Sequence, residues 1–135
     1  MAISDIFGKK EKKPLGLYIH IPFCRSKCEY CDFCSFVPNN SAVVEHYTDA
    51  LLLQMEDWRD KCRPYEIDTV YIGGGTPTYL DLPHIQRIIE GVWRNFKVKK
   101  SAEISMESNP ATVDPESLRR IRRLGVNRLS IGVQS

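Results

Sequence analysis

Apolar positions along this chain follow two alternating rhythms. In 15–21, LGLYIHI, alternate positions place Leu17, Ile19 and Ile21 on one side and Tyr18 and His20 on the other, the period-two signature of a strand with one apolar face. β-rich composition predicts further strands at 68–74 (DTVYIGG), 102–107 (AEISME) and 127–133 (NRLSIGV), the last two with the same alternation. Between them the spacing changes to that of a helix. Ser41 can cap a first helix with Val44, Tyr47, Leu51, Met55 and Trp58 on its apolar face. Asp81 can cap a second, with Pro83 in its first turn and Ile85, Ile88, Ile89 and Val92 on one face. Asp114 and Pro115 open a third, which Gly125 closes.

Strands that alternate with helices pair in parallel, which predicts an α/β fold built on a parallel sheet or barrel. No helix follows the last strand pattern, so the chain is expected to be part of a longer fold. The strands also keep a polar face: Tyr18 and His20 in the first, Glu103, Ser105 and Glu107 in the third, Ser130 and Gln134 in the last. A parallel sheet covered on both sides is normally apolar throughout, so this face either meets solvent or lines a polar site. Glu107 and Gln134 fall at C-terminal strand ends, where α/β folds place their chemistry.

Composition narrows the partners. With 42% apolar and 27% charged residues, the 135-residue chain belongs among globular proteins. Its net charge of +2 is the balance of 19 basic against 17 acidic residues, and gives no electrostatic case for nucleic acid. The run KKEKK at 9–13 predicts a flexible basic tail over 1–13, ahead of one domain, 14–135, incomplete at its C-terminus. Arg119, Arg120, Arg122 and Arg123 fall opposite Leu118, Ile121 and Leu124 and are expected on a wet helix face. No secretory signal and no membrane-spanning stretch is evident, so a cytoplasmic address is expected.

Four cysteines crowd the segment after the first strand: Cys24, Cys28, Cys31 and Cys34. Disulfides are rare in a reducing compartment, which directs attention to metal chemistry. Three thiolates at the spacing of Cys24, Cys28 and Cys31 can hold one iron–sulfur cluster and leave an iron open to a substrate or cofactor. A closed zinc site using Cys34 as fourth ligand is the alternative, although zinc sites usually draw ligand pairs from separated pieces of chain. Cys62, at a helix end, suits a small buried apolar residue. Two further motifs follow strands: Gly73–Pro77 (GGGTP), where glycines admit close backbone approach, and MESNP, where Glu107 can accept from a ligand's donors.

Taken in order, Cys24-x3-Cys28-x2-Cys31, GGGTP, ESNP and GVNRLSIGVQS resemble the radical S-adenosylmethionine superfamily. More narrowly, they resemble the branch that contains the oxygen-independent coproporphyrinogen III oxidases and the haem chaperones. The resemblance runs from about Leu15 to Ser135. It implies a partial TIM-type barrel, about the first three to four β/α units, with a 4Fe-4S cluster on Cys24, Cys28 and Cys31. The open iron would bind S-adenosylmethionine, whose sulfonium one electron cleaves. By motif match, Tyr18, Tyr30, Gly74, Gly75, Thr76, Glu107 and Gln134 would contact that cofactor or a second molecule of it. The resemblance further implies haem or porphyrin as partner, held by residues beyond Ser135, and an electron donor. The oxidases usually carry one more cysteine where this chain has Phe33, which favours the chaperone type.

Overall fold

A computed structural model describes residues 12–23, 41–109 and 114–131. Within them the order is β1 (Lys13–Ile21), α1 (Ser41–Arg59), β2 (Tyr65–Gly74), a short 3-10 turn (Pro77–Tyr79), α2 (Leu82–Asn95), β3 (Val98–Ser108), α3 (Pro115–Leu124) and β4 (Arg128–Ile131). The four strands form one sheet in the order β1-β2-β3-β4, every pair parallel. This is the α/β arrangement expected from the sequence, and sequential parallel order is that of a partial TIM-type barrel.

The two faces of the sheet divide as the alternation requires. Ile19, Ile21, Val70, Ile72, Ile104 and Met106 are buried together with Val44 and Met55 of α1, Ile85, Ile88, Ile89 and Val92 of α2, and Ile121 of α3. The helices therefore cover one side of the sheet, and the hydrophobic effect holds the two layers together. The exposed Arg119, Arg120, Arg122 and Arg123 occupy the wet side of α3. β2 begins ahead of the expected 68–74, and its alternation breaks there, because Ile67 and Val70 are three apart yet both buried. The register with β1 shifts there, Leu15 facing Ile67 and Gly16 facing Thr69, so Asp68 is the extra residue of a bulge that returns both side chains to the core.

Helix ends conform in part. Asp114 caps α3, its side chain accepting from Ser117 N at 2.7 Å, and Gly125 ends that helix at φ +120°, a conformation suited to glycine. Asp81 precedes α2 without a side-chain cap; its carbonyl instead accepts from His84 N and Ile85 N. Trp58 is not core: it is 48% exposed, lies at 4.6 Å under the Lys61 ammonium, and borders a groove of about 350 Å³ with Leu15, Leu17, Leu51, Met55 and Phe96 along β1. Cys62 is half-buried against the core. Among the described residues, no helix is long and apolar enough to cross a membrane.

β4 begins one residue later than the expected strand. Asn127 uses its side chain to extend the pairing, with Oδ1 accepting from Ile104 N at 2.9 Å and Nδ2 donating to Ala102 O at 2.8 Å. Its own backbone N–H donates to Ile104 O at 2.9 Å. One asparagine thus satisfies three polar groups of β3 before β4 takes over.

Candidate functional site

The face of the sheet opposite the helices carries Tyr18 and His20 from β1, Tyr71 and Gly73 from β2, Ser105 and Glu107 from β3, and Ser130 from β4. Register brings them into rows: Tyr18 faces Tyr71, Tyr71 faces Ser105, and Glu107 faces Ser130. Tyr18 is 57% exposed although it lies in the middle of a strand, which shows that this face is open among the described residues.

Glu107 stands at its centre. Its Oε1 accepts from the Tyr71 phenol at 2.7 Å, and its Oε2 accepts from the Gly74 backbone N–H at 3.2 Å. Donating to a carboxylate favours the protonated phenol, and with a smaller contribution from burial this raises the Tyr71 pKa above its ordinary value. The Tyr18 ring stacks on Tyr71 at 6.0 Å with 14° between the planes. Its pKa is raised as well, first by burial and then by the negative charge of Glu107. Tyr18 Oη in turn lies 3.1 Å from His20 Nδ1, while His20 Nε2 is buried with no partner among the described residues.

The glycine turn is shaped by what a side chain would strike. A Cβ on Gly73 would lie 2.7 Å from Tyr71 Cε1 and 3.0 Å from Glu107 Oε1, so only glycine leaves room for that pair. Gly74 sits at φ +117°, and a Cβ there would lie 2.6 Å from the Ile21 carbonyl oxygen. The next two backbone groups tie the turn to the end of β1: Gly75 N donates to Ile21 O and Thr76 N to Phe23 O, each at 2.7 Å. Phe23 is fully buried and meets Tyr47 edge-on at 5.4 Å, and Tyr47 donates to the His20 carbonyl. Phe23, the residue just before Cys24, is therefore held both by Thr76 N and by the Tyr47 ring. Asn109 N, just past Glu107, reaches Thr78 Oγ1 at 3.4 Å, which links the ESNP turn to the 3-10 turn that follows the glycines.

Of the residues singled out in the sequence, the structure brings Tyr18, Gly74, Gly75, Thr76 and Glu107 to one end of one face. Cys24, Cys28, Cys31, Cys34, Tyr30 and Gln134 lie outside the described residues, as does most of the expected tail, 1–11. Gly75 and Thr76 spend their N–H groups within the chain, which gives them the part of anchors to β1. Tyr71, which the sequence reading did not single out, belongs to the site, and so does His20, which it placed on the polar face without a role. Tyr71 was legible as the neighbour two positions before Gly73 on the same strand face, and His20 as the polar partner of Tyr18 in β1.

The arrangement presents a carboxylate with acceptor capacity left over, an accessible aromatic ring and a turn free of side chains, next to the start of a segment rich in thiols. It can accept hydrogen bonds from hydroxyl or ammonium groups of a ligand. The donor set fits a polar cofactor bearing both.

Known proteins resemble this chain in sequence and fold. It is 43% identical to heme chaperone HemW of Escherichia coli (strain K12) over 122 residues, 90% of this chain and 32% of that protein. It is 36% identical to the oxygen-independent coproporphyrinogen III oxidase of the same organism over 133 residues, 98% of this chain and 29% of that protein. The solved structure of coproporphyrinogen III oxidase (HemN) from Escherichia coli, described as a radical SAM enzyme, superposes with a TM-score of 0.85 at 36% identity, covering 91% of this chain and 28% of that one. The chain spans about a third or less of these relatives. The sequence pattern of the Radical SAM superfamily matches residues 18–135, and the chain belongs to that superfamily, whose members' cofactors are a 4Fe-4S cluster and S-adenosylmethionine.

Proposed function

We propose that this chain forms the cofactor-binding portion of a radical S-adenosylmethionine protein of the haem-chaperone type. The observation that carries the reading is Glu107, clamped between the Tyr71 phenol and the Gly74 N–H beside the point where the cysteine segment leaves β1. Cys24, Cys28 and Cys31 would hold the 4Fe-4S cluster. Glu107 would accept from ribose hydroxyls or the amine of S-adenosylmethionine, and Tyr18 would offer its ring as a wall. Gly74, Gly75 and Thr76 would bring the backbone close, with Tyr30 and Gln134 completing the contacts. When bound, the cluster supplies one electron to the sulfonium; the protein's own part is to orient the cofactor and hold Glu107 in place.

The chaperone type is favoured by 43% identity to heme chaperone HemW and by Phe33 at the position where the oxidases place a cysteine. Haem delivery, with an electron donor as second partner, is then the expected role, in the cytoplasm. The oxidase reading, oxidative decarboxylation in porphyrin synthesis, is kept by the 36% identity that extends over 98% of this chain. Full-length protein decides between them. After anaerobic reconstitution, a chaperone binds haem tightly and forms no protoporphyrinogen from coproporphyrinogen, whereas an oxidase forms it. Either type requires the cluster EPR signal to change when S-adenosylmethionine is added; an unchanged signal sinks both.

A further inference from the structure

Tyr71 is accounted for by none of the roles above, yet it makes the shortest contact to the central carboxylate. We propose that Tyr71 is a positioning residue: its phenol fixes the Glu107 carboxylate in the orientation that receives the donors of S-adenosylmethionine. The proposal rests on the cofactor reading just given and deepens it.

Three observations carry it. The Tyr71 ring is confined, stacked on Tyr18 at 6.0 Å on one side and lying over Gly73 on another, where even a methyl group would come within 2.7 Å of Cε1. The phenol of a confined ring is a fixed donor. That donor meets Oε1 at 2.7 Å while Gly74 N meets Oε2 at 3.2 Å, so each carboxylate oxygen has one internal partner and can accept again. A glutamate held by one backbone N–H alone would keep several rotamers, and a ligand would have to pay for ordering it. Fixing the carboxylate beforehand removes that cost. Tyr71 acts through Glu107 and has no call to touch the ligand.

The alternative is that Tyr71 only stacks, and Y71F separates the two, because it keeps the ring and removes the hydroxyl. In full-length, cluster-loaded protein, S-adenosylmethionine binding is measured by equilibrium dialysis for wild type, Y71F, E107Q and the double variant, with iron and sulfide content and far-UV circular dichroism as controls. Y71F is expected to bind about tenfold more weakly with its controls unchanged, the scale of one hydrogen bond to a charged group. The double variant is expected within about twofold of E107Q, since the amide that replaces the carboxylate offers Tyr71 only a neutral, weaker acceptor. Wild-type affinity in Y71F, or penalties that multiply in the double variant, overturns the proposal while leaving the cofactor reading intact. Failure of wild type to bind overturns both. A second readout needs no cofactor: the Tyr71 phenol, followed by NMR with labelled tyrosine, titrates above the ordinary range in wild type and moves down in E107Q. An unmoved titration overturns the proposal by itself, including where Y71F fails to fold.

Discussion

Two adjacent glycines should fail in different ways when each is replaced by alanine. Gly74→Ala places a methyl group 2.6 Å from the Ile21 carbonyl oxygen, at φ +117°. The obstacle is backbone, and the same carbonyl accepts from Gly75 N at 2.7 Å, so relief requires β1 and the turn to separate. The disfavoured dihedral costs about 1–3 kcal/mol. Overpacking costs about 1–3 kcal/mol more. One displacement relieves part of both, so the loss of stability is expected near 2–4 kcal/mol. Gly73→Ala meets side chains instead, Tyr71 Cε1 at 2.7 Å and Glu107 Oε1 at 3.0 Å, and Gly73 is outside the positive-φ region. Side chains yield more readily than backbone, but only by giving up the Tyr71–Glu107 hydrogen bond and the stack on Tyr18, so the net cost is expected below that of Gly74→Ala, about 1–2 kcal/mol. The Tyr71–Glu107 hydrogen bond is lost all the same. Urea denaturation followed by circular dichroism measures the first quantity, and S-adenosylmethionine binding measures the second. A Gly74→Ala variant within about 0.5 kcal/mol of wild type, or a Gly73→Ala variant less stable than it, would refute the reasoning, because experimental scatter and surface effects are of that size.

Other consequences are open to measurement. Asn127→Ala strips the pairing of Ile104 N and Ala102 O, two backbone groups at the edge of the core, and is expected to cost about 2 kcal/mol in the same denaturation assay. The hydrogen bond from Ser117 N holds the Asp114 carboxyl below its ordinary value of 3.8, so the capping contribution is complete above that pH and is lost as pH falls through the lower folded value. Asp114→Asn, a cap that does not ionise, should flatten the acid limb of the stability profile relative to wild type. Cys34→Ala should retain iron and acid-labile sulfide after reconstitution, whereas Cys24→Ala, Cys28→Ala and Cys31→Ala should each lose both; zinc without sulfide in wild type would favour the four-thiolate alternative.

Much of the fold was legible because period and element agree in this chain. Ile19, Ile21, Ile104 and Met106 alternate cleanly, and each is buried where alternation puts it. The departures occur where a long-range partner decides. Asp68 gives no local sign of a bulge; only the register of β2 against β1 reveals that Ile67 and Val70 share a side. Asn127 looked like the first residue of a strand, and its role in capping the β3 ladder depends on backbone groups more than twenty residues earlier. Trp58 falls on the apolar stripe of α1, but the sheet ends at β1, and past that edge the stripe has nothing to cover it among the described residues.

The site divides along the same line, and the division explains why Glu107 alone was weak evidence. A glutamate at a strand end is ordinary, and nothing local distinguishes a solvated carboxylate from a positioned one. What distinguishes this one is the pair of donors that reach it from β2, a phenol and a backbone N–H, spaced by a glycine whose missing Cβ makes room for both. That relation depends on three strands in register and cannot be read within any one of them. The cysteines are the converse case. Their spacing is local, so the sequence displays it fully, while the choice between an open cluster and a closed zinc site is not a matter of spacing alone. Family membership supplies that weight, and the structure adds a physical constraint: Gly75 and Thr76 pin Ile21 and Phe23. Whatever metal the thiolates hold, the first of them follows directly from a residue that the glycine turn has fixed beside Glu107.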